Sequence, residues 1–390
     1  MSFLKGRVIL ILSPQSWGTM FLSKHHYAVA LAEKGNDVYF LNPPVTDNSL
    51  NKGDIVVRKS PVHTNLYLID HRLPFSYNIR FHWVWLFHYL MKFHLQQVVK
   101  EIGKNIDIIW SFDLNNLYPF HLLSSNAIKV FHPVDEPLND HAIHSAKGAS
   151  VIFSVTNEIL DKYKKMDIPR IFIHHGVTET FINDSVHYKR QAVVNVGFSG
   201  NLLRKDIDWE TLLQIVKENA PVQFHFWGSY KIAESNIGGS DATNIYLKQL
   251  NEMENVTLYG AVSPEILAKS YAQMDVFLIC YDINKDQSGG TNYHKVMEFL
   301  ATGKVIVSNN LTTYQGTGLL EMSDSRHNNA ELPALFKKVI TNLNVYNADA
   351  MMQQRIAFAR SNTYPQQIDR IASHLAGLYI REPNKNSVEA

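Results

Sequence analysis

Cysteine is almost absent. Cys280 is the only one among 390 residues, so no intrachain disulfide can form, which fits a reducing compartment. It sits in the apolar run DVFLICY and reads as a buried core residue. An excess of one charge sign is also lacking. Lys and Arg number 37 against 36 Asp and Glu, a net of +1. A nucleic-acid binder needs a clustered cationic excess to neutralise phosphates, so nucleic acid is excluded as a partner. No apolar run reaches the ~18 residues of a membrane span. The run VILIL after Lys5 and Arg7 is too short for a signal-peptide core and has no small-residue cleavage site. The expected location is therefore cytoplasmic, with attachment to the inner face of a membrane left open. Internal repeats and low-complexity tracts are missing too. With 45% hydrophobic, 19% charged and 11% aromatic residues, the composition is that of a globular protein rather than a disordered or fibrous one.

Against these absences stands a regular alternation. Short runs rich in Val, Ile and Phe recur between longer segments of helical period, the pattern of an α/β protein with doubly wound parallel sheets. The runs are RVILIL, DVYFL, LYLI, IDIIW, IKVF, SVIFSV and RIFIHH in the first half, then VVNVGFSG, VQFHFWG, NVTLYG, DVFLIC and KVIVSN. Helices are expected at 23–34, 79–101, 208–219, 263–273, 291–302 and 331–342. The length suits two domains, and the polar stretch TFINDSVHYKRQ, residues 180–191, separates the two strand sets. The expected domains are 1–185 and 186–365, both Rossmann-like, followed by a helix and tail at 366–390 whose last residues fray.

The stretch SGGTNYHKVMEFLATGKVIVSNN, residues 288–310, carries the sharpest chemical signal. Thr291 suits an N-cap and Gly303 a C-terminal stop, while Tyr293, Val296, Phe299 and Leu300 form one apolar stripe. A helix start at the carboxyl end of a strand presents unpaired N–H groups to anions, and Gly289 and Gly290 permit close approach of a phosphate. Glu298 falls off the stripe on the face with His294, and Lys295 shares a face with Thr291. About seven residues into the helix, Glu298 is ~10 Å along the axis, the reach from a diphosphate to its ribose. Its two acceptor oxygens suit two vicinal hydroxyls. An ordinary solvated glutamate is the competing reading.

Beyond the residues themselves, TNYHKVMEFLATGKVIVSNN resembles the nucleotide-sugar signature of GT-B glycosyltransferases, in the large retaining bacterial family of sucrose, mannosyl and lipopolysaccharide-core transferases. FSGNLLRKDIDWETLLQIV resembles that family's donor loop, and NVTLYGAVSPEILAKSYAQMDVFLICY its middle strand-loop-helix-strand. LSPQSWGTMFLSKHHYAVALAEKGNDVYFLNPP, VFHPVDEP, SVTNEILDKYK and IFIHHGVTETF resemble a subgroup active in cell-surface polysaccharide synthesis. The resemblance implies two Rossmann-like domains facing a cleft, with a C-terminal helix packing back toward the N-domain. It implies transfer of a sugar from a nucleoside-diphosphate sugar, UDP or GDP, to a glycan or lipid-linked acceptor, without metal or cofactor and with domain closure over the reacting centre. Carried onto this chain, Glu298 holds the donor ribose, Lys295 joins it, and amides near Gly290, Thr291 and Asn292 meet the diphosphate. Gly200 lets the backbone approach the donor phosphates, and Arg204 and Lys205 stabilise the leaving group. In one respect the chain departs from the family. The first of two glutamates separated by seven intervening residues is replaced here by Gly290, with Asp286 four residues upstream as a substitute carboxylate.

On the acceptor side the resemblance points to His132, Asp135 and Glu136 after IKVF, where a histidine orients or deprotonates a hydroxyl and an aspartate positions it. A satisfied core histidine and a helix-capping aspartate are the alternatives. Trp17, His25 and His26 lie near the first strand-end loop, where an aromatic can stack on a sugar or simply pack. Their spacing does not suit a metal. The segment NIRFHWVWLFHYLMKFHLQQVVKEIGKN mixes exposed-type aromatics with Arg80, Lys92 and histidines. It reads either as an interfacial helix meeting a lipid-linked acceptor or as a partly buried core helix. Two other functions remain open: an epimerase or hydrolase on the same fold, which needs further acids, and a catalytically silent nucleotide-sugar-binding scaffold, favoured by Gly290.

Overall fold

The computed structural model describes residues 3–380 apart from 19–20, 124–125, 184–187, 190, 232–240 and 287. Packing divides the chain into two compact units, residues 1–174 with 364–390, and residues 175–363. The 185/186 boundary expected from the sequence and the frayed terminus at 381–390 lie outside the described residues.

The first unit is built on β1 (Val8–Leu12), β2 (Asp37–Leu41), β3 (Ile55–Lys59), β4 (Leu66–His71), β5 (Ile108–Ser111), β6 (Ile128–Phe131), β7 (Val151–Ser154) and β8 (Arg170–Phe172). They form one sheet in the order β3-β4-β2-β1-β5-β6-β7-β8. Every pairing is parallel except β3 with β4. Continuous apolar strands arise because both faces of a parallel sheet are covered. Leu10, Leu12, Tyr39, Leu41 and Ile109 face one core, against the helix Val84–Ile102. Their neighbours Ile9, Ile11, Val38, Phe40 and Ile108 face the other. β3 adds an edge strand beyond those expected. Its residues are half-buried or exposed, so IVVRK lacks the solid apolar run of its partners.

The second core face of this sheet is covered by two helices far apart in sequence, Ser23–Glu33 and Tyr364–Ile380. Tyr364, Ile368, Ile371, Ala372 and Leu375 are buried in that core, and Asp369 pairs with Lys34 at 2.6 Å. The chain therefore returns to its first unit, as the resemblance implies. Its i, i+4, i+7 and i+11 apolar spacing from position 364 explains why this helix needs the sheet: each such side chain taken out of water contributes about 1.5–3 kcal/mol.

The second unit carries β9 (Asn195–Ser199), β10 (Gln223–Trp227), β11 (Val256–Gly260), β12 (Val276–Ile279), β13 (Val305–Ser308) and β14 (Glu321–Met322). Their order is β11-β10-β9-β12-β13-β14, parallel throughout. Both units thus have the doubly wound, Rossmann-like form expected from the sequence. Two helices differ from expectation. Residues 79–101 are broken at Trp83, giving Ile79–His82 and Val84–Ile102. The helix expected at 291–302 runs only from Lys295 to Ala301, because Gly289 and Gly290 both take positive φ and hold the chain before it in a loop.

Candidate functional site

In the second sheet the winding reverses between β9 and β12, and ligands of open α/β sheets bind outside the carboxyl ends of the strands at such a point. The segments that leave these ends carry nearly all the donor-side residues named from the sequence. After β9 the backbone is bare by necessity. A Cβ on Gly200 would lie 2.8 Å from the Tyr281 hydroxyl. Gly228, at φ +126°, would place its Cβ 1.9 Å from the Gly200 carbonyl oxygen. The two turns therefore tolerate only glycine and expose main chain where β9 and β10 end.

Arg204 follows within the same turn. Its Nε donates to Asp206 Oδ1 at 2.8 Å, and its Nη2 contacts the second Asp206 oxygen. The same Nη2 lies 3.5 Å from Asp286 Oδ1, and the guanidinium is 5.2 Å from the Tyr281 ring centroid. The bond to Asp206 raises the Arg204 pKa, against the opposing effect of burial. The cation is thus permanently charged but already neutralised by two carboxylates. Lys205 is exposed, with no ion-pair partner among the described residues, and supplies the uncompensated positive charge of this turn.

Asp286 ties the next loop together. Its Oδ2 accepts from Ser288 Oγ at 2.6 Å, Tyr293 Oη at 2.6 Å and the Gly290 amide at 3.0 Å, while Oδ1 accepts from the Ser288 amide. Burial raises its carboxyl, but these bonds outweigh burial and leave it below the ordinary value. Gly290, at φ +64°, would bring a Cβ to 3.0 Å from Ile283 Cγ2. A glutamate there would meet both backbone strain and the Ile283 side chain, so this loop disfavours the acidic side chain. Arg326, which sequence reasoning did not single out, clamps the loop from behind. It donates to the carbonyls of Gly289 at 2.6 Å, Gly290 at 3.1 Å and Asn310 at 2.7 Å. A lone arginine in SDSRHNN carries no periodic or motif signal by which to find it.

Glu298 is buried, with 6% of its surface exposed, so the solvated reading does not hold. Lys295 Nζ donates to its Oε2 at 3.1 Å, and His294 Nδ1 lies 3.4 Å from Oε1. Burial would raise this carboxyl, but Lys295 and His294 together bring it down to about 2. It is an ionised acceptor in a nearly dry setting. The buried Tyr271 hydroxyl lies in its field and is raised by burial and by the Glu298 charge. Arg355, fully buried, fixes the far end of this short helix by donating to the Gly303 carbonyl at 3.1 Å, with Tyr346 and Leu319 carbonyls as its other acceptors. Thr291 and Asn292 are buried in the loop ahead of the helix. At the end of β13, Ser308 Oγ and Asn309 Nδ2 are buried and make no hydrogen bond among the described residues. Asn309 Nδ2 is 3.5 Å from where a Gly290 Cβ would stand, so unused donors border the loop.

In the first unit, His132 is fully buried at the end of β6, ringed by Tyr27, Trp110, Phe112 and Phe153. Trp110 Nε1 donates to its Nδ1 at 3.3 Å, which places the ring proton on Nε2. Burial lowers its pKa to about 3. Asp135 is exposed and caps no helix; Asn139 caps Asp140–His144 instead. Glu136 pairs with Lys162 at 3.2 Å. His25 stacks on Phe40 with Trp17 edge-on to both, and His26 stacks on Tyr364. Among the described residues no group of three or more His, Cys, Asp or Glu is placed to hold a metal ion.

No protein-family model matches the chain, and no curated protein matches it. Solved structures do. The chain is similar to a glycosyltransferase from Rickettsia africae at TM-score 0.64 and 12% identity, covering 98% of this chain and 100% of that one. Sucrose-phosphate synthase from Thermosynechococcus elongatus gives TM-score 0.67 at 12% identity, with 96% and 100% coverage. Anabaena HepE, solved with UDP and glucose, gives 0.62 at 12% identity, with 95% and 99% coverage. At such low identity the shared property is the fold.

Proposed function

We propose that the chain is a glycosyltransferase that moves a sugar from a nucleoside-diphosphate sugar to a glycan or lipid-linked acceptor in surface-polysaccharide synthesis, working in the cytoplasm. The observation that carries this reading is Glu298, a buried carboxylate held ionised by Lys295 and His294 beside the switch point of the second sheet. Ionised and shielded from water, it suits the two hydroxyls of a ribose. Backbone near Gly200, Gly290, Thr291 and Asn292 takes the diphosphate, with Ser308 and Asn309 as further donors. Because Arg204 already faces Asp206 and Asp286, Lys205 is the cation assigned to the leaving diphosphate, and Arg204 orders the turn. On the acceptor side Asp135 positions the hydroxyl, and His132, closed off by aromatic rings, acts as a positioning residue. UDP is the favoured nucleotide, since HepE was solved with UDP and the E. coli trehalose-6-phosphate protein with UDP-2-fluoro glucose.

Calorimetric titration with UDP and GDP provides the test. Glu298→Gln is expected to weaken nucleotide binding about 10- to 100-fold, the value of a hydrogen bond to a charged group. Equal affinity in the variant would remove the ribose role. Gly290 favours one other reading, a silent scaffold that binds donor without transferring it. Labelled donor incubated with glycan and lipid-linked acceptors separates the two, because a scaffold yields neither product nor released diphosphate.

A further inference from the structure

The surface of the first unit has one region that a water-facing helix does not need. From Phe81 to Trp85 five consecutive residues, Phe-His-Trp-Val-Trp, are exposed. One turn on, Tyr89 and Phe93 continue the patch, and the exposure of its aromatic residues runs from 49% at Phe93 to 71% at Trp85. The helix Val84–Ile102 thus carries two apolar stripes. Phe87, Met91, Leu95 and Val98 are buried against the sheet. Trp85, Tyr89 and Phe93, spaced by four, lie on a face with no protein cover among the described residues. An exposed face on a helix of this kind is ordinarily polar.

Charge identifies what covers it. From His71 to Lys100 there is no Asp or Glu, while Arg72, Arg80, Lys92 and Lys100 all fall in that span. Lys92 and Lys100 are exposed alongside the aromatic stripe. Arg80 is held at the helix start by the Tyr77 hydroxyl and the Asn115 carbonyl, its guanidinium 6.0 Å from the Phe81 ring. Trp and Tyr with flanking cations and no carboxylate is the composition of the bilayer headgroup boundary, where the rings take the apolar layer and the cations meet anionic lipid. No helix among the described residues is long and apolar enough to cross a membrane, so the segment lies along the surface. The break at Trp83, where φ is −134° and ψ 74°, separates Phe81 from the longer helix, and both Phe81 and Trp83 stay exposed at it.

We infer that residues 81–93 dock the protein on an anionic lipid surface, with Phe81, Trp83, Trp85, Tyr89 and Phe93 as the inserted groups and Lys92 and Lys100 as the electrostatic contacts. The inference stands apart from the donor reading, since it uses no residue of the second unit. Flotation of the full chain with phosphatidylcholine vesicles, with and without 30 mol% phosphatidylglycerol, tests it. The protein is expected to float with the anionic vesicles, to shift its tryptophan emission to the blue, and to lose binding as salt rises. Trp83→Ser with Trp85→Ser is expected to lower partitioning at least tenfold, and Lys92→Gln with Lys100→Gln severalfold. Far-UV circular dichroism and the melting midpoint, unchanged in both pairs, report that the variants are folded whether or not the chain binds nucleotide. Absence of flotation, or flotation indifferent to the tryptophan pair, overturns the inference. A lipid-free dimer in light scattering that the tryptophan pair dissolves also overturns it, assigning the patch to a second copy.

Discussion

Lys24 shows how much a single residue can conceal. It occupies the first turn of the helix Ser23–Glu33 and is buried, its ammonium facing the Gln15 side-chain oxygen. Burial lowers its pKa to about 8, with Asp135 and Asp113 only partly offsetting it from a distance. The fold releases this proton near pH 8 whereas the unfolded chain keeps it to 10.5, so stability should rise with pH across that window. Lys24→Met is expected to stabilise the protein by about 1–3 kcal/mol at pH 7 and to flatten that rise. Urea unfolding at pH 7 and 9.5 measures both. Glu298 is the opposite case. Its type and position were legible in the motif, but its burial was not, because the helix stripe placed it away from the core. Its neighbours include Tyr271, far away in sequence, which no local period encodes.

At the scale of elements, strands were legible and their punctuation less so. DVFLIC and KVIVSN show as solid apolar runs because both sheet faces are covered, whereas IVVRK, the edge strand, shows no such run. The helix starts at Lys295 rather than at Thr291 because, although Thr291 offers a cap, the Asp286 carboxylate holds Ser288, Gly290 and Tyr293 in a loop. Arg326 completes that loop through three main-chain carbonyls. Arg326→Ala is expected to cost about 1–3 kcal/mol in stability and to weaken nucleotide binding by about tenfold or more, since Gly290 would lose its fixed position. Comparing calorimetry with the melting midpoint tells the two effects apart. Loss of stability with unchanged affinity would show that the clamp serves the fold alone.

Over the described residues, the histidines whose pKa is lowered furthest by burial are unevenly shared, although His225 of the second unit is lowered by burial too. His71 and His132 are lowered to about 3, and His25, His94 and His174 to about 4, in each case chiefly by burial. All five belong to the first unit. Folded, they stay neutral until pH 4 or below, while the unfolded chain takes up protons at 6.5. Stability of the first unit should therefore fall as pH drops below 6.5, by about 1.4 kcal/mol per pH unit for each histidine concerned. Hydrogen exchange at pH 7 and pH 5 is expected to show residues 3–174 losing protection before residues 191–363. Equal loss in both would contradict it.

The last helix, Tyr364–Ile380, is also a matter of timing. On the ribosome, a nascent chain released only as far as Thr363 already contains every strand of the second sheet, while the first still lacks the residues that seal one of its faces. Synthesis order and completion order are thereby reversed: the portion made later can mature first, and the N-terminal portion waits with one sheet face covered by Ser23–Glu33 alone until residues 364–380 emerge.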